Sequence, residues 1–228
     1  MSGWGEFALA LAVFFASHAL PVRPPMKPWL VARLGARGFA LGYSVLSLAI
    51  LIWLIAAAGR APHVMLWYYA PWQSHLALVL MLPACLLLAL GVASVNPLSF
   101  GGRQGGFDPD APGIAGLVRH PLLMAILLWA LAHLVANGTL AQVLLFGLFA
   151  GFAALGMRLI DRRRQAAWGR VRWQEVAQAT ALLPFAALIA GRWKPRGPLP
   201  LWPLLAGLVL YGALIALHRP VIGASPLP

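Results

Sequence analysis

Apolar runs recur along the chain, with short polar stretches between them. Six are long enough to cross or nearly cross a hydrocarbon layer: 7–22, 39–58, 75–95, 120–136, 140–157 and 199–217. A seventh, ALLPFAALIAG at 181–191, is too short to span and reads as an interfacial or re-entrant piece. The pattern predicts an all-α integral membrane protein with six transmembrane helices plus a short interfacial or re-entrant helix. We expect a single transmembrane domain over 1–228, with no internal repeat and no long linker. The first run lacks a basic leader segment and a small-residue cleavage pattern, so it is expected to stay as a span.

Composition agrees: 61% of the 228 residues are hydrophobic and 10% are charged, where a soluble domain carries about a quarter charged residues. The formal net charge of +12 would suggest nucleic acid in a soluble chain, but its placement decides otherwise. With Met1 outside and six alternating spans, all but Arg60 and Arg219 of the 17 Lys and Arg residues fall on the cytoplasmic side. That asymmetry predicts a multi-pass protein of the bacterial inner membrane with both termini outside. It also predicts membrane lipid, and no nucleic acid, as the partner of the basic residues.

Between the runs, PVRPPMKPWLVARLGARG opens with prolines and then becomes helix-compatible. RLIDRRRQAAWGRVRWQEVAQAT interleaves Trp168 and Trp173 with arginines, as a helix lying along a membrane surface does. GGRQGG, at 101–106, lacks the Lys-Ser/Thr ending and the preceding strand of a phosphate loop. Cys85 stands alone in the third run, which excludes an intrachain disulfide and fits a small buried apolar residue.

The histidines carry the candidate chemistry, because an imidazole in an apolar run needs a partner, a ligand or water. His120 and His133 are thirteen residues apart on one predicted helix. That spacing rises about 20 Å and turns about 220° net, so they cannot share one metal ion. His120, after Arg119 and before Pro121, is either a polar residue of the interface or part of a corner that contacts an anionic group, with Arg119 supplying the fixed charge. His133, with Trp129 one turn below, is either a hydrogen-bonded core histidine or an axial ligand of heme. His18 is the only ionisable residue within the first run; it is a second axial ligand or a cap beside Pro21. His63, His75 and His218 fall near the interfaces, the first two in an aromatic belt with Trp67, Tyr68, Tyr69 and Trp72. The chain shows no Ser-His-Asp set, no paired intramembrane carboxylate and no HExxH. Its five acids lie outside the runs or at their ends, which speaks against a proton pump or a carboxylate-based hydrolase.

The blocks FFASHALP, LVARLGARGFALGYSVLSL, RHPLLMAILLWALAHLVANG, DRRRQAAWGRVRWQEV, LLPFAALIAGR and HRPVIGASPLP resemble the NnrU family and its relative, the cis-zeta-carotene isomerase of plants and cyanobacteria. The resemblance implies a helical bundle binding heme b through its iron, with His18 and His133 in the ligand positions. Where the isomerase branch has a cysteine three residues before the second ligand, this chain has Ala130. Arg119 and Arg37 are then candidates to neutralise the heme propionates. The implied roles are handling of nitric oxide or electrons in support of denitrification, or isomerisation of a hydrophobic polyene. A methyltransferase using S-adenosylmethionine at its RHP corner, and a cofactor-free assembly factor for a reductase, are the alternatives.

Overall fold

A computed structural model describes residues 3–103, 105–198 and 200–228. The described residues form helices α1 (Gly3–Ala19), α2 (Met26–Arg60), α3 (Pro71–Ala93), α4 (Ile114–Leu117), α5 (Pro121–Ala136), α6 (Leu140–Trp168), α7 (Arg170–Ala177), α8 (Ala186–Ile189) and α9 (Leu201–Ile222). By length and apolar composition, α2, α3, α6 and α9 are long enough to cross a membrane. This makes the chain an all-α membrane protein. The other two expected spans are shorter helices, with 17 residues in α1 and 16 in α5. The fragment expected to be interfacial or re-entrant becomes the four-residue α8.

Two boundaries differ from the sequence pattern, both for a backbone reason. The proline-led loop joins the second run, and α2 is interrupted only at Gly35, whose φ of 70° and ψ of 163° are not helical. The arginine-rich stretch splits at Gly169 (φ 79°) into the end of α6 and the separate α7. Its tryptophans turn inward: Trp168 and Trp173 stand 6.2 Å apart and pack with Phe107 on Leu98, Val176 and Ala177. Burying them on a local core removes more apolar area from water than a surface position would.

The chain divides into two compact units, 1–68 with 138–145, and 69–137 with 146–228. In the first, Phe7, Ala10 and Phe14 form the buried stripe of α1, while α2 buries Ile50, Leu54, Ala57 and Ala58. Spacings of three and four residues put each set on one helical face. Glu6 bridges the helices: it takes a hydrogen bond from Trp53 and a two-point contact from Arg60. Arg60 and Trp53, in that order, hold the Glu6 carboxyl below the ordinary carboxylate range. Val64–Leu66 pairs with Gly138–Leu140 through backbone bonds of 2.8 Å from Leu66 N–H to Gly138 O and from Leu140 N–H to Val64 O.

In the second unit α3 packs against both α5 and α9. Glycine permits both approaches. A Cβ added at Gly91 would lie 3.0 Å from the Pro121 side chain, and one at Gly207 would lie 3.0 Å from the Leu86 backbone. The core below consists of Leu87, Leu90, Ile114, Val118, Leu123, Met124, Ala125, Ala153 and Met157.

Candidate functional site

Two polar places stand out in the second unit, one at each end of α5. At its start, Pro121 occupies the first helical position, where a missing N–H costs no hydrogen bond. His120 precedes it and is fully buried. Its Nε2–H donates to Asp161 Oδ1 at 2.9 Å, and its Nδ1 lies 3.0 Å from Ser99 Oγ. Arg119 forms an ion pair with Asp161, donates from Nε to Thr180 Oγ1 at 2.8 Å, and lays its guanidinium 5.2 Å from the centre of the Trp173 ring. Asn96 closes the corner, donating from Nδ2 to Arg119 O at 2.9 Å and accepting from the Leu98 N–H at 3.1 Å.

The anionic partner expected for the RHP corner is thus present within the chain, as Asp161. Ser99, His120 and Asp161 also stand in a hydrogen-bonded row, which corrects the expectation that no Ser-His-Asp set exists. The row does not serve hydrolysis, because Ser99 is only 2% exposed and the carboxylate is shared with Arg119. It is a buried polar strut, with every charged member paired.

At the other end of α5, His133 packs in a triangle of rings with Trp129 and Phe146, each with its centroid 5.0 Å from that of the imidazole and 5.5 Å from the other. Its Nδ1–H donates to Trp129 O at 2.8 Å. A carbonyl can only accept, so the bond fixes the proton on Nδ1 and leaves the Nε2 lone pair available. His133 lines a cavity of about 390 Å³ whose walls are mainly apolar, with Tyr69, Ser74, Asn137, Tyr211 and Ser225 among its polar members.

His218, expected at the interface with no special role, lines the same cavity, its ring centroid 6.4 Å from that of His133. Its Nδ1–H donates to Ala224 O at 2.8 Å, leaving its Nε2 in the same state. Neither Nε2 has a hydrogen-bond partner among the described residues. Only the packing of α9 beside α3 gives His218 this position, and the HRP tripeptide alone does not signal it.

His18 belongs to the first unit and His133 to the second. His18 donates from Nδ1 to Phe14 O at 2.8 Å and packs against the Phe14 ring, with Tyr43 at 6.0 Å. The same bond, one turn back to a carbonyl, is made by His75 to Pro71 and by His133 to Trp129, so it is a common helical setting and by itself no signature of ligation. What sets His133 apart is the cavity it lines together with His218. Arg37 is exposed and forms no ion pair among the described residues. No group of three or more His, Cys, Asp or Glu able to hold a metal ion occurs among the described residues.

The donor set discriminates between kinds of metal site. A bare ion of the zinc type takes about four protein or water ligands, and the cavity offers two imidazoles. A porphyrin brings four equatorial nitrogens and needs only axial ligands and an apolar slot. The ring centroids of His133 and His218 stand 6.4 Å apart, so both can approach one group in the cavity.

Residues 6–226 match the family model described as NnrU protein. No curated protein and no solved structure matches the chain.

Proposed function

The chain belongs to the NnrU family, and from that premise we propose that it binds heme b in the membrane with His133 as an axial ligand. The observation that carries this reading is the pair His133 and His218, which face one apolar cavity with each Nε2 free. The resemblance implies His18 as the second ligand, whereas the cavity offers His218. When bound, the heme supplies an iron that can pass one electron or take a small ligand such as nitric oxide.

The chain's own contribution is orientation and exclusion of water. Trp129 O fixes the tautomer of His133 and makes its Nε2 a better donor. Trp129 and Phe146 give the ring aromatic packing partners. Leu78, Met81, Leu214 and Ile215 line the slot with apolar surface. Arg219, next to His218 and without an ion-pair partner among the described residues, is available to a propionate. Arg119 already serves Asp161 and precedes α5, along which His133 lies about 18 Å beyond Pro121.

Six crossings, with both termini outside the bacterial inner membrane, complete the reading. Within it the heme serves nitric oxide or electron handling linked to denitrification, or isomerisation of a hydrophobic polyene. The test is the visible spectrum, oxidised and dithionite-reduced, of protein purified in detergent from heme-replete cells. A Soret band with sharp low-spin α and β bands, lost or changed to high spin in His133→Ala, is expected. Of His218→Ala and His18→Ala, the variant that shares this change identifies the second ligand. A colourless wild-type preparation would overturn the heme reading.

A further inference from the structure

Residues 193–196 lie between two cavities of different character. On one side a cavity of about 450 Å³ is lined mainly by apolar groups, among them Leu90, Ile114, Leu117, Phe185 and Leu188. On the other, a cavity of about 550 Å³ has polar and apolar walls in near-equal share, with Arg192, Gln178 and Asp110 among its lining. Trp193, Lys194 and Arg196 line both. Three cations and one carboxylate therefore meet where apolar surface gives way to more polar surface.

The backbone holds this strip firmly. Ala187 O accepts the N–H groups of Arg192 and Trp193 at 2.9 and 3.2 Å, and Arg192 Nη1 donates to Gln178 O and Thr180 O. Trp193 lies flat where α4 has no side chain: a Cβ on Gly116 would come within 2.3 Å of its indole nitrogen. Arg192 is thus occupied, but Lys194 and Arg196 form no hydrogen bond or ion pair among the described residues.

Phe185 adds an independent sign. It is the one non-glycine residue with positive φ among the described residues, at 63°. A left-handed conformation is unfavourable for an L-residue, and residues held this way concentrate at ligand sites. Here its N–H is bonded to Leu117 O at 3.0 Å, and the ring, 53% exposed, forms part of the apolar wall.

We propose that these two cavities form one binding site for an anionic glycerophospholipid of the surrounding bilayer. The acyl chain lies against Phe185, Leu188 and Leu90, and the phosphate is held by Lys194 and Arg196. The charge complement selects an anionic headgroup over a zwitterionic one, and the apolar cavity, reached by the end of the membrane helix α3, selects a lipid over free phosphate.

The test is native mass spectrometry of the full chain released from mild detergent, with phosphatidylglycerol or phosphatidylcholine added. The wild type should retain one phosphatidylglycerol in preference to phosphatidylcholine. Lys194→Gln/Arg196→Gln should reduce that retention by about tenfold, the scale of two charge-assisted contacts. Arg163→Gln/Arg170→Gln, which removes the same charge from exposed positions elsewhere, should leave it unchanged. Phe185→Gly suits the positive φ and so keeps the backbone, yet it should weaken retention through the lost wall. Equal retention of the two lipids, or an equal loss in the control variant, would overturn the proposal. So would complete displacement by millimolar inorganic phosphate combined with no effect of Phe185→Gly, which would leave only a free-anion site.

Discussion

Asp161 is the residue on which the RHP corner depends. It takes hydrogen bonds from His120 and Arg119 together, and both partners are buried or nearly so. Removing one member of such a set leaves a buried charge without compensation, which costs about 3–5 kcal/mol. Asp161→Ala should therefore lower stability by about 3 kcal/mol or more, measured by thermal unfolding in detergent. A combined Arg119→Met/Asp161→Leu variant should recover part of that loss, because it leaves neither charge stranded. The sequence shows Arg119 and His120 as a pair in want of an anion. It does not show the anion, which lies 41 residues beyond His120 and reads on its own as one acid among arginines.

Between elements, the Glu6–Arg60 contact ties the start of α1 to the end of α2, with Trp53 as a third partner. Because these partners depress the folded-state carboxyl below its unfolded value, the contact is at full strength above the ordinary carboxylate range. It is lost as pH falls through the folded value. Melting temperature followed from roughly pH 6 to pH 3 should thus fall more steeply in the wild type than in Glu6→Gln, and added salt should shrink the difference, since the pair is exposed. The close approach of α9 to α3 gives a second element-scale expectation. Gly207→Val has no space against the Leu86 backbone and should destabilise by about 1–3 kcal/mol. The same displacement should move His218, and a heme spectrum altered by Gly207→Val at a temperature where the protein stays folded would register it.

At the scale of the molecule, the family match over residues 6–226 and the four long apolar helices make this an NnrU membrane protein. The proposed six crossings would put both termini on one side, and on that proposal the clustering of the basic residues would make it the outer one. Alkaline phosphatase fused after Pro228 should then be active, and a green fluorescent protein in its place should stay dark. The reverse result would mean an odd number of crossings or an inverted chain. At one end of the second unit lies the paired RHP corner with the cationic strip nearby, and at the other the open histidine cavity. A lipid at the first and a heme at the second would act on opposite ends of α5.

The order of apolar runs and the bias of charge were legible along the chain, because burial in hydrocarbon is a local property of each segment. So was the identity of His133 as an unusual residue, since its neighbours are all apolar. What joined His120 to Asp161 and Ser99, brought His218 into one cavity with His133, and brought Trp193 and Lys194 into one cavity with Phe185 was decided only when the helices packed. Those contacts depend on close approaches at Gly91, Gly116 and Gly207 and on the backbone turn at Phe185. Each is a fit between distant segments, and no period or motif within one segment encodes it.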